Sequence, residues 1–266
     1  MIIHDASNGH LTLITQTEHS QLVGELAAHW GNADFAVPEP YDSVVRAAVF
    51  HDYGWLRYET APLLNPETKR PYQFLELPFS QEQTDAYQWC IDWLTSIDEY
   101  SGLIVSLHRT GLWKNRYDTM VHPSGKYDLK GLRPEIQALI DANEARQQQQ
   151  RATLNETNVW TNYRLMQVWD LLGLYFCCQK PCDDYIEPVP TSYAGDGDAH
   201  VRMTMKPLDE RRVLFDPYPF NQQPLPIEIG CRRVPQTSFP DTESFRRAYF
   251  QAEKDLLRYE LVGPER

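Results

Sequence analysis

Apolar residues recur at three- and four-residue intervals through most of the first 180 positions and at two-residue intervals beyond them. Leu22, Val23, Leu26 and Ala27 share one face of a helix that Thr15 or Thr17 opens and that ends near Trp30-Gly31. After the break at Pro38 and Pro40, Val44, Val45, Ala47, Ala48, Val49 and Phe50 predict a short apolar helix. It runs into His51-Asp52-Tyr53-Gly54-Trp55. Residues 60–80 read as a loop interrupted by Pro62, Pro66, Pro71 and Pro78. Ser80 with Gln83 forms a capping-box pattern ahead of Trp89 and Trp93. Asp98 opens a helix through Leu103, Ile104, Val105, Leu107 and His108, and a polar loop follows at roughly 114–131. Pro134 starts a polar helix whose run Gln147–Gln150 reads as solvated surface. The last core helix spans about 158–178, with Val159, Leu165, Met166, Trp169, Leu172 and Phe176.

Two-residue periodicity marks strands at both ends. Ile2 and Ile3, a Ser7-Asn8-Gly9 turn, then Leu11 and Leu13 read as a hairpin. Val201, Met203 and Met205, then Arg212–Phe215, Leu225–Cys231 and Leu257–Leu261 read as further strands, with a short helix at about 242–252. The acidic segments Asp183-Asp184 and Asp196–Asp198 read as solvated loops. The expected fold is mainly α (α+β overall): a helical domain at 16–180, with 1–15 and 181–266 forming a small β-rich accessory portion packed on it.

Composition narrows the function. With 25 Lys and Arg against 37 Asp and Glu, the 266-residue chain carries −12. That argues against a surface that grips nucleic acid or anionic lipid and leaves a small-molecule substrate as the expected partner. No apolar stretch approaches the roughly 20 residues of a membrane span, and the N-terminus lacks a signal-peptide pattern. Five cysteines, an odd number, suit a reduced cytoplasmic setting. Oligomeric state is not legible.

The informative residues are polar groups on faces that should be apolar. His19 shares the face of Leu22, Val23 and Leu26; His51 and Asp52 follow Ala47 and Ala48; His108 follows Ile104; Asp170 lies between Met166 and Leu174. A buried imidazole alone is ordinarily a hydrogen-bonded core group. A buried carboxylate costs several kcal/mol unless it finds a cation. Asp170 has no Lys or Arg three or four positions away. Two imidazoles and two carboxylates on separate helices are a donor set for Mn, Fe, Co, Ni or Zn, so His19, His51, Asp52 and Asp170 are the candidate metal ligands.

This order, a helical histidine, a His51-Asp52 doublet followed by Gly54 and a distant helical Asp170, resembles the HD superfamily of metal-dependent phosphohydrolases over roughly residues 16–180. The segments Gln16–Ser20, Ala28–Gly31, His51–Trp55 and Ser106–Leu112 look like an uncharacterised bacterial family of HD-like proteins. The resemblance implies an HD-like helical bundle, bacterial origin and hydrolysis of a phosphoester or nucleotide-like molecule by metal-activated water. His108 and Arg109 are the candidate catalytic residues: His108 to donate to a leaving group or ligate a second metal, Arg109 to clamp phosphate. Trp55 stands where many such enzymes carry Lys or Glu; Arg57, Glu59, Arg109, Glu18 and His108 are the candidates to replace that charge. Trp30, Trp55 and Tyr53 are the candidate stacking groups for a flat substrate, or else core packing. The alternatives are a dinuclear-iron oxygenase, which needs two more histidines where only His108 and His122 occur, and a non-catalytic binding module.

Overall fold

The computed structural model describes residues 1–6, 9–119, 133–194 and 200–265. The expected Ser7-Asn8-Gly9 turn, His122 and Asp196–Asp198 therefore fall wholly or partly outside the described residues. Helices follow the predicted periodicities: α1 (Gln16–Ala28), α2 (Tyr41–Phe50), the short α3 (Leu56–Glu59), α4 (Gln81–Ile97), α5 (Glu99–Trp113), α6 (Pro134–Arg151), α7 (Glu156–Cys177) and α8 (Thr242–Gln251). Their starts are set by local chemistry. Thr15 accepts from the Glu18 amide, Asp98 from Ser101 and Asn155 from Asn158, each satisfying a first-turn N–H that has no intrahelical partner.

The strands are β1 (Ile2–Asp5), β2 (Leu11–Ile14), β3 (Asp184–Pro190), β4 (His200–Pro207), β5 (Arg212–Asp216), β6 (Leu225–Val234) and β7 (Glu253–Val262). All seven join one sheet in the order β1-β2-β6-β7-β5-β4-β3, antiparallel except where β5 runs parallel to β7. The N-terminal hairpin enters through β2, whose Leu11 pairs with Val234 of β6.

The sheet corrects the expected fold. Helix takes 49% of the described residues and strand 21%, and the sheet curls into a half-barrel, so this is an α+β fold and not a mainly helical HD-like bundle. The strands are also no thin accessory layer. Ile227, Ile229, Phe215 and Met203 belong to the same buried cluster as Leu22, Leu107, Met166 and Trp169. A second, smaller cluster under α8 takes Leu11, Leu13, Val234, Phe245 and Tyr249.

Two local expectations also change. Asp184 opens β3 opposite Met205 instead of lying in a solvated loop. Gln147 is buried, its amide donating to Ser106 Oγ (2.8 Å) and Thr110 Oγ1 (3.1 Å), so part of the glutamine run is a polar contact between α6 and α5.

Candidate metal centre

Three elements deliver the cluster. His19 projects from α1 beside the apolar residues that seat that helix, and is fully buried. His51 and Asp52 follow directly on α2, where the chain leaves the helix for a tight turn at Tyr53–Trp55. Gly54 lets that turn touch α4: a Cβ there would lie 2.6 Å from the Ala86 carbonyl oxygen. Asp170 comes from the middle of α7. One turn on, Gly173 admits the His19 ring; a Cβ at 173 would sit 2.7 Å from its Cε1 and 2.8 Å from its Nδ1.

The residues converge. His19 Nε2 lies 3.2 Å from Asp170 Oδ1, and His51 Nε2 lies 3.6 Å from both Asp170 Oδ1 and Asp52 Oδ2. Ligands on a common ion at bonds of about 2.1 Å sit roughly 3.0–3.4 Å apart, so these separations approach a coordination shell. His108 of α5 joins them, its ring 5.2 Å from that of His51. The ligand atoms form two overlapping groups, His19 with His51 and Asp52, and His51 with His108 and Asp170, so these buried residues can hold a metal ion.

The tautomer of His51 suits ligation. Its Nδ1 is 2.9 Å from the Ala48 carbonyl oxygen, which only accepts, so Nδ1 carries the proton. Among the described residues Nε2, buried and aimed between two carboxylates, has no hydrogen-bond partner; burial opposes a second proton on the ring, but Asp52 and Asp170 outweigh it and raise its pKa, so an ion would take the place of the Nε2 proton. Such an outer hydrogen bond fixes the orientation of metal-ligating histidines generally. Ser20 Oγ, 3.0 Å from the same Nδ1, accepts from the Asp52 amide and ties the doublet to α1.

Electrostatics reinforce the arrangement. Burial opposes ionisation of Asp170, but a hydrogen bond from His19 and the adjacent His51 and His108 rings outweigh it and hold its carboxyl well below the usual range. Burial likewise opposes charge on Asp52, and His51 and Arg109 overcome it. Burial pushes the His108 pKa down to about 3, so this ring is neutral at pH 7 and offers a lone pair, which suits the ligand role expected of it better than the proton-donor role.

Cations missing from the neighbourhood of Asp170 in sequence arrive from elsewhere in space. Arg109 Nη2 donates to Asp52 Oδ1 at 2.5 Å while its guanidinium lies 3.8 Å from the centre of the Tyr87 ring. Arg116 Nη2 lies 3.7 Å from Asp170 Oδ2. Sequence reasoning missed Arg116, because four successive residues, Asn115, Arg116, Tyr117 and Asp118, adopt left-handed backbone angles (φ of 50°, 53°, 51° and 57°) with no glycine among them to signal it.

A cavity of about 200 Å³ opens over the cluster. Asp52, His108, Arg109 and Asp170 contribute its polar lining, and Trp55, Phe74, Phe79, Tyr87 and Trp113 its aromatic walls. Of the expected substrate-side residues, Trp55 and Arg109 line it. Trp30 does not: it is core, packed edge-on against Phe35, Trp169 and Phe220. Tyr53 stacks on Trp93 instead. Arg57 is exposed and outside the cavity lining. Glu59 is buried and accepts from the Gln16 and Thr17 amides and from Thr17 Oγ1 (2.6 Å), so it caps α1 and thereby orients the helix that carries His19. Glu18 is exposed and faces the sheet at Gly230.

Fold and site together define the class: an α+β protein with a half-barrel sheet and a buried histidine–aspartate cluster able to hold a metal ion. The chain belongs to the family described as "Protein of unknown function (DUF3891)", whose model matches residues 1–236. No curated protein and no solved structure matches it. The resemblance to the HD superfamily is thereby overturned: the family found is a different one, and the curled seven-strand mixed sheet is not an HD helical bundle. Among the described residues, no helix is long and apolar enough to cross a membrane.

Proposed function

We propose that the protein is a metal-dependent hydrolase of a small phosphoester. The observation that carries this reading is the orphaned Nε2 of His51, held by its own Nδ1 hydrogen bond between Asp52 and Asp170, the two carboxylates that line an aromatic-walled cavity. A divalent ion bound there would supply Lewis-acid activation of water and of a phosphoryl oxygen. His19, His51, Asp52 and Asp170 would hold it, with neutral His108 beside them. Arg109, fixed by Asp52 and Tyr87, presents positive charge to whatever enters the cavity. The walls exclude water and offer flat faces to an aromatic or nucleobase-like leaving group.

One ion suits this donor set better than two. The candidate groups share His51, which has a single free nitrogen. That disfavours the dinuclear-iron alternative. The test is to strip metal, restore Mn, Fe, Co, Ni or Zn, and assay a phosphomonoester and phosphodiester panel. The reading expects turnover that needs added metal and disappears in His51→Ala and Asp170→Asn. Metal bound with no turnover on any ester would sink it in favour of a binding module, and two irons per chain with an oxygen-dependent signal would favour an oxygenase.

A further inference from the structure

A second cavity, of about 370 Å³, lies between β6, β7, the start of α1 and the end of α8, and shares no lining residue with the cavity over the histidine–aspartate cluster. Its volume falls in the roughly 300–1,000 Å³ range of small-molecule sites. The antiparallel register lays its floor: Gly230 opposes Leu256, and Arg232 opposes Lys254. Two cations directly opposite each other on one face of a sheet repel, and an anion between them offsets that cost. The chain supplies none. Among the described residues neither Arg232 nor Lys254 makes an ion pair, although the whole sequence carries −12. Arg232 is held in place by neutral partners, with Nη1 donating to the Ala252 carbonyl oxygen at 2.8 Å and its guanidinium 5.1 Å from the centre of the Tyr249 ring. The other charged groups of the β6–β7 lining, Arg258 and Asp255, are already paired with Glu228 and Arg233.

The opposite charge stands two positions along the strand. Gly230 leaves room for the Glu18 carboxylate to lie over β6; a Cβ at 230 would come within 2.5 Å of Glu18 Oε2. Among the described residues Glu18 also makes no ion pair. Two strand positions span about 7 Å, a separation that one small molecule bearing both charges bridges. Leu13, Tyr249 and Leu256 give the same cavity its apolar surface. We infer that this cavity binds a small zwitterion of the α-amino acid type. Its carboxylate lies on Arg232 and Lys254, its ammonium on Glu18, and its apolar side chain against Leu13, Tyr249 and Leu256. The inference goes beyond the hydrolase reading and does not depend on it.

The full-length protein is titrated calorimetrically with L-leucine and L-phenylalanine, and with two analogues of leucine that each keep one charge, 3-methylbutylamine and 4-methylpentanoate. The expected result is saturable binding of at least one amino acid at one site per chain, with its single-charge analogue at least about tenfold weaker. Glu18→Gln and Lys254→Gln should each weaken amino-acid binding by a similar factor. Both side chains are exposed, so neither change threatens the fold, and unfolding midpoints serve as the control. Gly230→Ala removes no charge but displaces the Glu18 carboxylate, and it should weaken binding as Glu18→Gln does. No binding of either amino acid to wild type overturns the site. Equal binding by wild type, Glu18→Gln and Lys254→Gln places the ligand elsewhere and overturns it as well. Should 4-methylpentanoate bind as tightly as leucine, Glu18 has no part in recognition and the zwitterion assignment falls.

Discussion

Gly173 shows how closely a single side chain governs the cluster. It lies one turn beyond Asp170, and the His19 ring fills the space a methyl group would need. Alanine favours helix over glycine by about 1 kcal/mol, so Gly173→Ala should cost little through the backbone. Its effect falls instead on the Val23 methyl and the His19 ring, the atoms nearest such a Cβ, and the ring must move away from Asp170. The expected outcome is a roughly 10–100-fold loss of metal affinity with a small change in unfolding midpoint, read by competition with a chelating dye. Unchanged affinity would mean that His19 is not a ligand. At this scale the sequence was informative about which polar groups break apolar faces, because burial of His19, His51, Asp52, His108 and Asp170 follows from helical spacing alone. It was silent about Arg116, whose place depends on a backbone conformation that its residue types do not announce. It left Trp30 open between stacking and core packing and set Glu59 on the substrate side, since spacing along the chain does not distinguish a wall of the cavity from a core aromatic or a helix cap.

Between elements, the contact of the N-terminal strand with α7 makes a pH sensor of stability. His4 of β1 is buried, with Nδ1 3.2 Å from the Cys177 carbonyl oxygen at the end of α7. Burial lowers its pKa from 6.5, and the Cys177 hydrogen bond offsets this only in part. The unfolded chain therefore binds a proton that the folded chain resists, and stability falls as pH drops below 6.5 until the folded group also titrates. The slope in that window should approach, at most, about 1.4 kcal/mol per pH unit. Denaturant unfolding at pH 7, 6 and 5 should show it, and His4→Gln should flatten that part of the slope. Helix positions were largely readable at this scale because capping residues and apolar spacing are local signals. Strand pairing was not. Leu11 meets Val234, and β5 lies beside β7 although β6 intervenes in sequence, so alternation could identify strands but not the sheet they build. That is why a seven-stranded sheet was read as a small accessory portion.

Over the whole molecule, one buried cluster runs from the helices carrying the metal-site residues into the concave sheet, through Trp169, Phe176, Phe215 and Ile227. Helical and strand layers should therefore melt together. Far-ultraviolet ellipticity, dominated by helix, and tryptophan fluorescence should give coincident unfolding curves, and Phe215→Ala on the sheet should lower both by about 3–5 kcal/mol. Two separated transitions would show that the β part folds by itself. The same continuity makes the site depend on the sheet: α1 and α7, which face each other across His19 and Asp170, are both seated on it. The most direct test of the account is metal stoichiometry. Protein stripped of metal and then dialysed against Mn, Co, Ni or Zn should retain close to one ion per chain, and His19→Ala and Asp170→Asn should retain none while remaining folded. Equal retention by wild type and both variants would place the ion elsewhere and contradict the central claim.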